Sequence, residues 1–274
     1  MNTENIKKIV ENVEGWFSER EGELVYNFAK NCRGEGVIVE IGSWKGKSTI
    51  WLGKGSKDGN KIQIYAIDPH TGSSEHQQEN KKIWTFEEFK ENIKNAKVDD
   101  VIVPLIKTSE DAAKNFDKPI EFIFIDGAHE YEFVKLDFDL WFPKVVNGGI
   151  IAFHDTIFWS GPRKVVRDLV YKSKFFKNVG FVDSITFAQK VKQNSLKDRI
   201  KKRYVLLLKN LYEFASNLYE FTGKLHLPKP LKVIVKKIIK ILIDRLQAKL
   251  FRISTLRQNR CYPSVFFDNV TNRN

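Results

Sequence analysis

Apolar residues run through the middle of this chain in short blocks. Val37–Ile41, Ile62–Ile67, Val101–Ile106, Phe122–Ile125 and Ile150–Phe153 are rich in Val, Ile and Phe, and the residues that follow are mostly Gly, Asp or His. Blocks of this length, bounded in this way, predict strands buried on both faces. The stretches between them carry helical spacing. Residues 4–31 predict two helices, with Gly15 and Gly22 near the breaks, and a further helix follows Gly46 and runs through Lys54. Phe86–Ala96 and Ser109–Asn115 read as helices, and Val134, Phe138 and Trp141 mark another before a turn at Gly148-Gly149. A helix over Arg163–Tyr171 leads to two segments, Val179–Val182 and Ile185–Lys190, that read as an antiparallel closing pair. The alternation predicts an α/β fold: a doubly wound, mostly parallel seven-stranded sheet with an antiparallel edge.

Beyond Arg199 the pattern changes. Ile200, Tyr204, Leu207, Leu211, Phe214, Leu218 and Phe221 recur at spacings of four and three, a coiled-coil-like seam. Pro228 and Pro230 interrupt it, and a second helix is expected over Leu231–Phe251, with residues 259–274 irregular. Charge changes at nearly the same place. The chain has 274 residues and a net charge of +12. Through Gln189 there are 26 Lys and Arg against 29 Asp and Glu; from Lys190 onward there are 20 against 5. Two parts are therefore expected, a globular domain over 1–190 and a basic amphipathic helical extension over 191–274. For residues 199–251 three partners compete: an anionic membrane surface, a second copy in a homodimer, and nucleic acid. Nucleic acid ranks last, because no base-reading module is present.

Cys32 and Cys261 lie far apart and form no metal or redox motif, and Cys32 reads as core. The first residues lack the apolar region of a secretory signal, and no segment has the ~18 uninterrupted apolar residues of a membrane span. A cytoplasmic protein is expected, with peripheral attachment at the inner membrane face as the tail's contribution.

The chemistry gathers where strands end. Asp126 and His129 follow one apolar block, and His154 and Asp155 follow the next. Open α/β sheets bind ligands at that edge. Hard oxygen donors converging there suit Mg²⁺, which would lower the pKa of a bound hydroxyl, with His129 as general base. Asp126 as a helix cap and His129 as a packing residue are the competing readings. Farther back, Glu40-Ile41-Gly42-Ser43-Trp44-Lys45-Gly46 places an acid and two glycines where a strand turns into a helix, a place suited to an anionic group. It is not a P-loop, since Ile41 stands where the first glycine belongs, and Trp44 breaks GxGxxG. Asp68 ends the neighbouring strand, where an acid can accept ribose hydroxyls. His70 and His76 lie in a long polar loop and read as solvated residues, with substrate contact as the alternative; Trp44 and Trp159 are candidates either for the wall of an acceptor pocket or for packing.

With these motifs in place, residues 36–156 resemble a class I S-adenosylmethionine-dependent methyltransferase. VEIGSWKGKST resembles the superfamily's first motif and YAIDPH its second. The resemblance implies a Rossmann-like methyltransferase fold with Glu40, Gly42 and Ser43 facing the methionine part of the cofactor. It puts Asp68 on the ribose, with Ser109 and Glu110 near adenine; Gly46 and Asp126 are counted with the cofactor contacts. IDGAHEY…DFDLWFPKVVNGGIIAFHDT is similar to metal-dependent O-methyltransferases acting on sugars of natural products. That similarity implies Asp126 and Asp155 as Mg²⁺ ligands, His129 as the base, and a small-molecule or glycan acceptor. His154 stands where a second oxygen donor is expected, and is assigned to the core or to substrate. The expected function is O-methyl transfer to a hydroxyl of a sugar or glycan precursor. The alternative is a catalytically inactive, methyltransferase-like scaffold that acts through its basic helices.

Overall fold

A computed structural model describes residues 3–73, 83–224 and 229–258. The expectations for His76, Cys261 and the last sixteen residues lie outside these. Seven strands form one sheet: β1 (Val37–Ile41), β2 (Ile64–Ile67), β3 (Ile102–Leu105), β4 (Ile120–Ile125), β5 (Val145–Phe153), β6 (Phe176–Val182) and β7 (Ile185–Lys190). Across the sheet the order is β3-β2-β1-β4-β5-β7-β6. The first five run parallel, and β7 is antiparallel to both its neighbours. This is the doubly wound sheet with an antiparallel edge that the sequence predicts.

Alternation along the central strands explains why their runs are almost all apolar, with Glu40 in β1 and Glu121 in β4 as the exceptions. β1 sends Ile38 into one core and Val39 and Ile41 into the other; β4 divides Phe122 and Phe124 from Ile123 and Ile125 in the same way. Successive strand side chains point to opposite faces, so both faces need cover. Helices supply it: α1 (Thr3–Val10), α2 (Glu19–Lys30), α3 (Lys47–Asp58), α4 (Phe86–Asn95), α5 (Ser109–Lys114), α6 (Tyr131–Trp141), α7 (Ser160–Val165), α8 (Leu196–Lys224) and α9 (Lys229–Gln258).

Several boundaries differ from expectation, each for a packing reason. Gly22 does not break a helix; it lies inside α2, where a Cβ would stand 2.2 Å from the ring of Trp51 on α3. Gly148-Gly149 is not the turn into β5. That strand begins at Val145, and its register against β4 slips between the pairs Ile120–Val145 and Phe122–Ile150, so the glycines lie within an irregular stretch of strand. The helix expected over Arg163–Tyr171 starts at Ser160 and passes into a wider π turn over Val166–Tyr171. The change at residue 190 is one of composition and not a break in packing. Val205, Leu208 and Tyr212 of α8 share a core with Val170 and Phe181 of the domain.

Candidate active site

The backbone ladder continues one residue past the ends of four strands. Gly42 N–H donates to Ile67 O, Asp68 N–H to Leu105 O, Asp126 N–H to Ile41 O and His154 N–H to Ile125 O, at 2.8 to 3.2 Å. The residues that follow β1, β2, β4 and β5 are thereby lined up on one sheet edge. The strand order reverses between β1 and β4, which opens a crevice at that point. A cavity of about 420 Å³ lies over the edge, lined among others by Ser43, Asp68, Glu110, Asp126, His129 and Asp155. Ligand sites of small molecules start at about 300 Å³.

On the β1–β2 side the groups are set by backbone. Asp68 accepts the N–H of Trp44 at 2.8 Å and that of His70 at 2.6 Å, so its carboxylate is fixed at the rim of the glycine turn. Gly42 has φ +87°, and a Cβ there would come within 1.9 Å of the Asp126 carbonyl oxygen. Only glycine lets the β1 and β4 turns approach this closely. Ser43 Oγ is buried with no hydrogen-bond partner among the described residues, and Ser43 lines the cavity. Across from these, Ser109 Oγ accepts the Trp141 Nε1 hydrogen at 2.8 Å, and Glu110 is exposed at the cavity wall.

Two residues assigned to the cofactor lie elsewhere. Glu40 is fully buried beneath α3, where Ser48 Oγ and Thr49 Oγ1 donate to its carboxyl at 2.6 and 2.5 Å. Strand alternation puts it on the face opposite Val39 and Ile41, under that helix. Burial pushes its pKa up to about 8, against the two hydroxyl hydrogen bonds. Gly46 caps α3 and faces Phe89 and Ile93 of α4, not the cavity.

The β4–β5 side is built from charge. His154, buried, has Nδ1 2.9 Å from Asp126 Oδ1 and 3.1 Å from Asp155 Oδ2. Its Nε2 stands 3.5 Å from Glu21 Oε1 on α2. Burial alone would lower the pKa of this imidazole, but the carboxylates of Asp126, Asp155 and Glu21 outweigh it and raise the value well above the usual one. For Asp126 burial is the leading effect and raises its pKa, while His154 pulls the other way. Asp155 is held low despite burial by its hydrogen bonds to His129 and His154. His129 Nε2 lies 2.9 Å from Asp155 Oδ2, and its ring stacks on Trp159 with centroids 4.4 Å apart. Asp155 itself has φ +54°, an uncommon turn for a non-glycine residue that Asp tolerates better than most.

The structure thus brings Asp126, His129 and Asp155 together and adds His154 to them. His154 is not a bystander packed in the core: one nitrogen faces the cavity acids and the other faces Glu21. Glu21 was not legible as a site residue, since its only sequence signal is the Ser18-x-x-Glu21 capping box, which forms here. Asp137 is a second omission. It is buried at the cavity beside Ser109, and burial pushes its pKa up to about 6. Residues Glu14–Phe17 also line the cavity, from the loop before α2. His70 is not solvated. Its ring is 1% exposed among Phe86 and Phe89, with Nδ1 2.9 Å from Thr85 Oγ1. Trp44 lines the cavity and Trp159 backs His129.

Residues 39–156 match a family model described as a methyltransferase domain. Among curated proteins the chain is similar to the uncharacterized protein R132 of Acanthamoeba polyphaga mimivirus, at 29% identity over 153 residues. The match covers 54% of this chain and 65% of that protein, so less than two-thirds of the relative's length is spanned. Among solved structures it is similar to the O-methyltransferase NovP, with 18% identity, TM-score 0.51, and 69% of this chain and 79% of that one covered. The SAH-bound methyltransferase PaMTH1 of Podospora anserina gives 15% identity, TM-score 0.50, and coverage of 69% and 87%. At such identities these likenesses concern the fold; what the family model adds is that residues 39–156, less than half of the chain, match a methyltransferase domain.

Proposed function

We propose that the chain transfers a methyl group from S-adenosylmethionine to a hydroxyl of a sugar or glycan precursor. The observation that carries this reading is that one cavity holds both halves of the chemistry, Ser43 and Asp68 at one end and the Asp126–His129–His154–Asp155 group at the other. The chain's residues fit the cofactor: Ser43 Oγ is a buried polar atom still open to a partner, and the fixed Asp68 carboxylate has lone pairs left for hydroxyls. S-adenosylmethionine supplies an electrophilic methyl on a sulfonium, whose departure leaves a neutral thioether. Exposed Trp16 and Phe133 at the cavity, beside its carboxylates, offer apolar faces next to hydrogen-bond acceptors. That combination suits a sugar, and similarity to NovP supports oxygen as the atom methylated.

The proton is handled by His129. Asp155 pairs with its Nε2 and orients the ring, and the imidazole takes the hydroxyl proton while oxygen forms its bond to the methyl carbon. Asp155 then stabilises the imidazolium, and Trp159 keeps the ring plane fixed.

The donor set also fits a divalent cation. One ligand atom each from Asp126, His154 and Asp155 lies within 4.8 Å of the others. Glu21 behind the second nitrogen of His154 matches the carboxylate partner that ligating histidines carry. A nitrogen donor moves the preference from Mg²⁺, which takes oxygen, toward Mn²⁺ or Fe²⁺. A cation held there would favour the ionised form of an acceptor hydroxyl. Calorimetric titration with S-adenosylmethionine, followed by labelled-methyl transfer to a panel of glycosides, tests the reading. Absence of cofactor binding would overturn it, and binding without transfer to any hydroxyl would replace it with a binding role.

A further inference from the structure

α8 carries two apolar stripes, and the fold uses only one. Val205, Leu208, Tyr212 and Ala215 face inward and are buried. Two lysines fix this orientation. Lys209 Nζ donates to Thr156 O at 2.6 Å, just after Asp155, and Lys202 Nζ reaches the carbonyls of Val170 and Ser173. Rolling the helix would strand both ammonium groups.

The other stripe is the seam of the sequence pattern, and it faces out. Ile200, Leu207, Leu211, Phe214 and Phe221 are 47 to 68% exposed. From Ile200 to Phe221 the stripe runs about 30 Å along the helix. Its apolar area is on the order of several hundred Å², the size at which an exposed patch marks an interaction site. On α9, Ile234, Ile238 and Leu242 are 50 to 61% exposed. Charge decides what covers such a surface. Residues 196–258 hold sixteen Lys and Arg against four Asp and Glu, and one of those acids, Glu213, is already paired with Arg163. A second copy would bring another surface of the same sign against this one. A layer of anionic headgroups over an apolar interior complements both features at once. Among the described residues no helix is long and apolar enough to cross a membrane.

We propose that the outward stripe of α8, with the basic flank of α9, docks this protein on the surface of an anionic phospholipid bilayer, α8 lying in the headgroup plane. This goes beyond the methyl-transfer reading and does not depend on it. The test is co-sedimentation of the full chain with vesicles of phosphatidylcholine alone and of phosphatidylcholine mixed with phosphatidylglycerol. Binding is expected to the mixed vesicles only, and to weaken as salt rises. The triple variant Leu207→Glu, Leu211→Glu, Phe214→Glu should bind at least about tenfold more weakly while melting at the same temperature, since these side chains are exposed. Should that variant misfold, Lys237→Glu with Lys240→Glu provides a second measurement, again with at least about tenfold weaker binding. Equal binding by both variants overturns the proposal, as does a full chain that stays in the supernatant. A lipid-free dimer that the triple variant dissociates overturns it in favour of a second copy.

Discussion

The two ends of the cavity are stabilised by opposite means. At the β1–β2 end, the one acid is held by backbone N–H groups, and the serine hydroxyl next to it is neutral. At the β4–β5 end, three carboxylates and two imidazoles are linked by contacts of 2.9 to 3.5 Å, and His154 stands at the centre, its Nε2 near Glu21 but without a hydrogen-bond partner among the described residues. A site set by backbone is rigid, and losing its one acid leaves only neutral N–H groups, those of Trp44 and His70, without their acceptor. A site set by mutually compensating charges fails as a unit, since each removal strands a buried charge. The contrast bears on the proposed function: the end assigned to cofactor binding is preformed by backbone, and the end assigned to the reaction depends on its composition.

Replacing the proposed base, His129, should break the comparison most sharply. His129→Gln keeps a hydrogen-bonding side chain opposite Asp155 but removes the proton acceptor. Turnover is expected to fall by about 10²–10⁴-fold, with cofactor affinity unchanged, as read from steady-state kinetics and calorimetry together. An equal fall in affinity would mean that the two ends are not separable.

His154→Ala comes next. It leaves Asp126, Asp155 and Glu21 facing one another without a cation, which should cost about 3–5 kcal/mol in chemical denaturation. In the wild type, chelation should abolish turnover, and Mn²⁺ should restore it better than Mg²⁺. Full activity after exhaustive chelation would remove the ion while leaving His154 as the internal cation of the group.

Asp68→Asn probes the end set by backbone. The amide still accepts one backbone N–H but brings its own donors and no charge. Affinity for S-adenosylmethionine should drop by about 1.5–3 kcal/mol, roughly ten- to a hundred-fold in Kd, with kcat at saturation little changed. A collapse of kcat instead would show that the Asp68 end also orients the reaction.

Much of this was legible in the chain because short apolar runs have few folds open to them. Runs such as Phe122–Ile125 must be covered on both faces, so the doubly wound sheet and the edge carrying Asp126 and Asp155 follow, whereas the full strand order comes from the structure. What was illegible came from contacts with no local trace. Glu21 reaches His154 only because α2 crosses that end of the sheet, more than a hundred residues away in sequence. His70 looked like a loop residue until Phe86 and Phe89 closed over it. On α8 the periodicity itself misled. Ile200-Tyr204-Leu207-Leu211 and Val205-Leu208-Tyr212-Ala215 are both apolar at helical spacing, and the second of these is the one that packs. Period alone cannot choose between two stripes on one helix.

Glu40→Gln should leave turnover least affected, and it sharpens the distinction between the cavity and the core beneath it. Glu40 lies under α3, held by Ser48 and Thr49, and its folded pKa of about 8 is above the unfolded 4.5. Between those values the folded chain keeps a proton that the unfolded chain has released, so stability falls as pH rises. The slope approaches about 1.4 kcal/mol per pH unit as an upper limit. Glutamine carries no such proton. Denaturation profiles of the two proteins should therefore run parallel below pH 4.5 and converge or cross between 4.5 and 8, with the wild type losing ground as the solution becomes more alkaline. Parallel profiles across the whole window would mean that Glu40 is ionised in the folded state. In that case the acid would contribute negative charge beneath the glycine turn, and cofactor affinity, not only stability, would change in the variant.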